Sequence, residues 1–249
     1  MQKILAILPA YNEEASIVDL LTNYENLAQH PEISLNILVV NDGSKDQTAK
    51  VVKDFKGNIP LHLLDNVQNG GLGKVLKDGL LYAIRHLKEG DIVITMDADN
   101  SHNPQLIPRM VQQIREGSSL VIASRYRQGA RSYGLSFFRT CTSFLAGSLF
   151  MIFAPVKGVR DYTCGFRAYR LELLKQGFDH FGERLIEEKG FSCMVELLLK
   201  LNRFRPICHE LPMILRYDLK KGSSKMNVRK TIQTTLAVLW QYRFSNRFK

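Results

Sequence analysis

The chain is poor in cysteine, with four in 249 residues, and Cys141, Cys164, Cys193 and Cys208 form no CxxC pair and no metal-ligand spacing. That leaves no disulfide framework and no zinc pattern to infer, and points to reduced thiols in a cytosolic compartment. Internal repeats and low-complexity linkers are missing too, so one compact domain with a C-terminal elaboration is expected. The start MQKILAILPAY has no small-residue cleavage site and turns polar at Asn12. It reads as a first strand, not a signal peptide. Long apolar runs are scarce. The strongest, Leu135–Val156, holds 17 uncharged residues from Thr140 to Val156, the lower limit for a spanning helix. Gly147, Pro155 and the interrupting Arg139 favour a helix lying in a membrane interface or in the core.

What the chain has in excess is positive charge, a net +10, and it is unevenly placed. Residues 1–100 carry 9 Lys/Arg against 14 Asp/Glu, residues 101–199 carry 13 against 8, and residues 200–249 carry 12 against 2. A tail of that kind meets phosphates of nucleic acid, anionic lipid or a small ligand, or is simply a solvated face. It lacks the interleaved aromatics of single-strand binders, so nucleic acid is not an expected partner.

The first 125 residues alternate strand and helix signals. KILAILPA, LNILVVND, LHLLD, DIVITMDAD and LVIASRY read as strands, with helices over Glu13–Gln29, Gln47–Phe55, Leu72–Leu87 and Pro104–Arg115. Nearly continuous apolar strands alternating with helices predict an α/β fold, a mostly parallel sheet covered on both faces. Such sheets bind ligands at the carboxyl ends of their strands. The polar motifs PAYNE, NDGS, DAD and SRY fall at four of those ends. Further on, Glu187–Leu201 reads as an amphipathic helix, ICHELPMILRY as extended, and Val228–Phe244 as a last helix, apolar on one side and basic at its ends.

In DIVITMDADNSHNP an apolar run leads directly into Asp97 and Asp99. If the strand continues, the two carboxylates share one side, roughly 7 Å apart. Like charges so placed call for a cation, and Mg²⁺ is typically held by one or two carboxylates plus substrate phosphates. A plain acidic turn before the helix at Pro104 is the competing reading. Asp42, at the end of the second strand, suits either an N-cap or a hydrogen bond to a base or ribose. The glycines of NGGLGKVL allow close backbone approach to a phosphate, or form a tight packed turn.

PAYNE (9–13), VNDGS (40–44), GGLG (70–73), DAD (97–99), SRY (124–126) and TCGFRAYR (163–170) occur in the order seen in family 2 glycosyltransferases. In that order the chain resembles the GT-A fold members of the family, most closely the dolichol-phosphate mannose synthase group, over residues 1 to about 226. The resemblance implies a catalytic domain over 1–226, including an interface helix near 135–156, and a basic amphipathic helix over 227–249. It implies that Pro9, Tyr11, Glu13, Val40 and Asp42 line the nucleotide pocket, that Asp97 and Ala98 contact the nucleotide-sugar, and that Asp99 binds Mg²⁺ or Mn²⁺. Arg125 would approach the donor or acceptor phosphate, Arg139 and Ser143 would hold the acceptor phosphate, and Lys225 would close over the diphosphate. Asp97, Asp99, Arg125 and Lys225 are thus the expected catalytic set. Two positions depart from the pattern. Ser101 stands where one branch has a metal-ligating Gln, and the Arg expected just before Lys225 is displaced, leaving Arg216, Lys220 or Lys221 to serve.

The implied reaction is inverting, metal-dependent transfer from a GDP- or UDP-sugar to a polyprenyl phosphate. An acceptor phosphate is already anionic and needs no general base, whereas a hydroxyl acceptor would need one, with Asp161 the nearest candidate. Phe137, Phe138, Phe150, Phe153 and Trp240 are expected on an apolar membrane-facing side, and the basic tail on anionic lipid. With no pair of spanning helices after the catalytic region, a peripheral enzyme on the cytoplasmic face of a membrane is expected. The alternatives are a family 2 enzyme acting on a glycan hydroxyl and, further off, a nucleotidyltransferase. Sugar, base and oligomeric state are not encoded in any motif.

Overall fold

Strands that read as unbroken apolar runs are buried on both faces, and the computed structural model, which describes residues 2–29, 33–134, 149–221 and 228–248, bears this out. β1 (Lys3–Ala10), β2 (Ser34–Asp42), β4 (Ile92–Thr95) and β5 (Leu120–Ser124) are almost wholly buried. With β3 (Leu61–Asn66), β7 (Arg167–Arg170) and β8 (Cys208–Pro212) they form one sheet in the order β3-β2-β1-β4-β7-β5-β8. Every pairing is parallel except those of β7, which runs antiparallel between β4 and β5. β6 (Arg131–Tyr133) and β9 (Ile214–Arg216) make a small parallel ribbon.

The crossovers are α1 (Ile17–Ala28), α2 (Thr48–Asp54), α3 (Leu72–His86) and α4 (Ile107–Arg115). From β1 the chain steps outward through β2 to β3, then returns to place β4 on the opposite side of β1. That reversal opens a crevice at the carboxyl ends of β1 and β4, where open α/β sheets take their ligands. α5 (Leu171–Phe181), α6 (Cys193–Leu201) and α7 (Val228–Phe244) complete the described helices, with residues 149–153 also helical. No described helix is long and apolar enough to cross a membrane. Cys164, Cys193 and Cys208 are free and buried, and burial pushes the Cys164 and Cys208 thiols up to about 12, which fits inert core thiols.

Three expectations are corrected. β4 ends at Thr95, so Asp97 and Asp99 sit in the turn beyond it and not on one strand face. The last ladder contact is Met96 N–H to Ile7 O, and the left-handed Asn100 (φ 60°) turns the chain away. The helix expected from Glu187 starts at Cys193, because the Glu187 and Glu188 N–H groups bond the Glu196 carboxylate instead of a helical ladder. Phe150 is fully buried, its ring stacked on Tyr162, while Phe153 is exposed. Phe137 and Phe138 lie outside the described residues.

β7 also brings in Arg167, the largest fully buried side chain among the described residues. Its Nε, Nη1 and Nη2 donate to the carbonyls of Cys164, Met194 and Tyr162 at 2.8, 2.8 and 2.7 Å. This one side chain pins the TCGF loop to α6. Replacing it with methionine strands three carbonyls in the core, each costing about 1–3 kcal/mol. Arg167→Met is expected to lose about 3 kcal/mol or more of unfolding free energy in urea. A change within about 0.5 kcal/mol would show that the carbonyls find other partners.

Candidate active site

The crevice between β1 and β4 collects charge from five segments. From β1 come Pro9, Tyr11 and Glu13. Pro9 pairs in register with Val40 of β2, and the Glu13 N–H donates to Thr48 Oγ1 at 2.8 Å, tying the PAYNE turn to the start of α2. Asn12, also left-handed, donates its N–H to Ser44 and accepts the Lys45 N–H on Oδ1, so the first two strand ends are laced together. Val40 is fully buried, its side chain facing Gly79 of α3.

Asp42 accepts the Gly70 and Gly71 N–H groups at 2.7 and 3.0 Å. Burial pushes its carboxyl up, against the pull of those two amides and of Lys74. Three amides of the glycine loop are therefore already engaged within the protein. Gly70 and Gly71 give their amides to Asp42, and Gly73 donates to Lys189 O at 3.0 Å. The glycines are needed for packing: a Cβ on Gly73 would lie 1.7 Å from Glu188 O, and one on Gly71 (φ +86°) 2.5 Å from Lys189 O.

At the end of β4, Asp99 is buried and doubly engaged. Oδ2 accepts the Lys220 ammonium at 2.6 Å, and Oδ1 accepts Ser101 N–H and Oγ–H at 3.0 and 2.6 Å. Burial alone would raise the Asp99 carboxyl, but Lys220, His102 and Ser101 outweigh it and hold it below the ordinary carboxylate range. Lys220 in turn keeps its proton: burial would lower it, and the Asp99 carboxylate more than compensates, with Glu13 adding to the effect. Half-buried Asp97 moves the other way, pushed up by burial and by Asp99 against the pull of His102, Lys220 and Arg125. It lies against Gly165, where a Cβ would sit 3.1 Å from its Oδ1. His102 is buried beside Phe166, with its Nδ1 unpartnered in this structure. Sequence reasoning passed over this histidine, although it directly follows Ser101.

The seat on Asp99 thus already attracts a cation, the Lys220 ammonium, and Ser101 Oγ is the oxygen beside it. Among the described residues no group of three or more His, Cys, Asp or Glu converges to hold a metal ion. A hard divalent ion bound here would take one or two of these carboxylates and complete its shell with ligand phosphates. Of the three cations expected to serve the diphosphate, Arg216 is tied to Asp218 and Lys221 to Asp19, while Lys220 reaches the crevice. Lys225, Arg139 and Ser143 lie outside the described residues.

Arg125 is held by Asp161. Its Nε and Nη2 bond the two carboxylate oxygens at 2.8 and 2.6 Å, its N–H adds a third bond at 3.0 Å, and Nη2 also donates to Thr163 Oγ1. Nη1 is the part of the fork that neither Asp161 nor Thr163 engages. Cys164 N–H completes the set on Asp161, which is wholly buried. Burial would raise this carboxyl, but Arg125 and Arg167 overcome it and hold it low.

Two apolar stretches stay in the open. On α7, Ile232, Leu236, Trp240 and Phe244 recur every fourth residue as one exposed stripe, with Trp240 at 68% and Phe244 at 67% exposure. Ile152 and Phe153 are exposed likewise. The basic tail is less available than its composition suggests, since Lys200, Arg216, Lys220, Lys221 and Arg247 all have carboxylate partners.

The chain belongs to glycosyl transferase family 2, whose model matches residues 5–178, and it is a glycosyltransferase of GT-A fold. It is 29% identical over 201 residues to the dolichol-phosphate mannosyltransferase of Pyrococcus furiosus, covering 80% of this chain and 53% of that protein, about half its length. It is 28% identical over 238 residues to the polyprenol monophosphomannose synthase of Mycolicibacterium smegmatis, covering 93% and 84% of the two chains. The undecaprenyl-phosphate mannosyltransferase of Micrococcus luteus is 29% identical over 226 residues, covering 90% and 88%. Among solved structures, glucosyl-3-phosphoglycerate synthase of Mycobacterium tuberculosis with Mn²⁺, UDP and glucosyl-3-phosphoglycerate superposes with a TM-score of 0.69 at 20% identity, over 98% of this chain and 81% of that one, a likeness of fold.

Because the folded Asp161 pKa is depressed, its stabilising contribution is complete above the unfolded value of about 3.9 and is lost as pH falls below it toward the folded value. Asp161→Asn breaks a buried pair and is expected to cost about 3–5 kcal/mol at neutral pH. It should also flatten the stability–pH curve below about pH 4. A variant with undiminished acid dependence would place that titration elsewhere.

Proposed function

We propose that the protein is an inverting, metal-dependent enzyme that moves a sugar from a GDP- or UDP-sugar to a polyprenyl phosphate at a membrane surface. The observation that carries this reading is the locked Asp161, buried and held low by Arg125, which removes the nearest candidate base for a hydroxyl acceptor. An acceptor phosphate brings its own negative oxygen and needs none. The polyprenol and undecaprenyl-phosphate enzymes among the relatives support the acceptor class.

In this reading residues 1–226 form the catalytic unit and 227–249 its membrane-facing helix. Pro9, Tyr11, Glu13, Val40 and Asp42 receive the nucleoside, and Asp97 and Ala98 orient the donor sugar. Asp99 holds Mg²⁺ or Mn²⁺, which when bound supplies Lewis acidity to the departing diphosphate. Lys220, kept protonated beside Asp99, and Lys225 add positive charge where negative charge develops. Arg125 presents Nη1 to the acceptor phosphate, which Arg139 and Ser143 also hold. The exposed stripe of α7 lies in the lipid interface, with anionic lipid drawing the remaining basic residues.

One observation favours a second reading. Asp97 has a raised pKa at the rim, and such a carboxylate is the better proton acceptor for a glycan hydroxyl.

Nucleoside diphosphate release from a panel of GDP- and UDP-sugars, with Mn²⁺, Mg²⁺ or EDTA, separates the two. Metal-dependent release stimulated by a short polyprenyl phosphate is expected, and Asp99→Ala should slow it about 100-fold or more in protein that is still folded at the assay temperature. Release that ignores the lipid and answers to a glycan would favour the second reading. For the surface itself, Trp240→Ser combined with Phe244→Ser should release the protein from sedimenting anionic vesicles at low salt. Unchanged sedimentation would remove the α7 stripe from the account.

A further inference from the structure

Behind the glycine turn lies a buried ionic cluster that the reaction does not use. Glu196 and Lys200 of α6 are both fully buried, with Lys200 Nζ bonded to Glu196 Oε1 at 2.8 Å and to Glu187 Oε2 at 2.9 Å. The chain end supplies the second cation. Arg247 donates Nη2 to Glu196 Oε1 at 2.7 Å, Nε to Glu187 Oε2 at 2.8 Å and Nη1 to Glu188 Oε1 at 3.2 Å. Three carboxylates are thus balanced by two cations, and without Arg247 a single cation would face all three.

The cluster is continuous with the rim. Glu196 Oε2 accepts the Glu187 and Glu188 N–H groups, so the cluster fixes the backbone of this segment. Glu188 O and Lys189 O are the atoms against which Gly73 and Gly71 are packed, with Lys189 O accepting the Gly73 N–H. Gly70 and Gly71 then hold both oxygens of Asp42. Each link is a hydrogen bond or a contact too close for a side chain, which leaves little slack along the path.

We propose that Arg247 is a positioning residue for the donor nucleotide. It clamps the 187–189 segment, the segment sets the glycine turn, and the turn sets Asp42. The proposal rests on the assignment of Asp42 to the nucleotide pocket. It also puts that pocket in mechanical contact with α7, which carries the exposed Trp240 and Phe244, seven and three residues before Arg247.

The test uses the full chain and the variants Arg247→Ala and Arg247→Lys. Hydrogen exchange of the 68–76 segment, which needs no nucleotide, is expected to be about tenfold faster in Arg247→Ala and close to wild type in Arg247→Lys. UDP and GDP, each titrated calorimetrically with Mn²⁺, are the binding probes. The nucleotide that wild type prefers should bind about 5- to 10-fold more weakly to Arg247→Ala, with most of the loss recovered in Arg247→Lys. Unchanged exchange at 68–76 overturns the clamp. Faster exchange spread over the whole sheet, with a lowered unfolding midpoint and no recovery by lysine, also overturns it by making Arg247 a stability residue only. A wild type that binds neither nucleotide contradicts the proposed function, and the exchange result alone then decides the clamp.

Discussion

The constraint on which the molecule depends is the reversal of strand order at β1. The chain lays β2 and β3 to one side of it and β4 to the other, so two strand ends part and leave a crevice between their loops. PAYNE and DAD border that crevice because they are the residues that follow β1 and β4. The TCGF loop reaches it because β7 enters antiparallel, between β4 and β5, and delivers the residues before it to the same rim. Placement comes from topology, and the side chains then do the chemistry.

Charge in the structure is mostly spent in pairs. Asp99 is met by Lys220, Asp161 by Arg125, and the Glu187–Glu188–Glu196 group by Lys200 and Arg247. Two of these pairings draw on the C-terminal fifty residues, whose positive charge is therefore structural as well as peripheral. Asp97 is the exception. It is half-buried, raised in pKa and set beside Gly165, with no cation bonded to it among the described residues.

Much of this was legible beforehand. Apolar runs located β1, β2, β3 and β5 closely, the Pro104–Arg115 and Leu72–Leu87 periodicities located their helices, and motif order identified the family. What was hidden depends on contacts distant in sequence. Four residues of β7 carry no run long enough to announce a strand. Nothing local says that β4 stops at Thr95, because its last partners are Arg167 and Ile7. Glu187–Leu201 has helical periodicity, yet its first residues serve the Glu196 carboxylate. Asp161 looked like a base by position, and only the fold reveals the guanidinium opposite it. Phe150 and Phe153 are indistinguishable in an apolar stretch, until Tyr162 buries one of them.

The central claim is that the sugar is joined to a phosphate oxygen of a lipid. Phosphorus NMR of a short polyprenyl phosphate, recorded across pH 5–8 after incubation with donor and enzyme, reads this directly. A free phosphomonoester titrates with a second pKa of about 6, and a glycosylated one has no second proton to lose. The account predicts a new phosphodiester resonance whose position does not move with pH, growing as the titrating one fades. A phosphorus signal that keeps titrating while nucleoside diphosphate accumulates would contradict it.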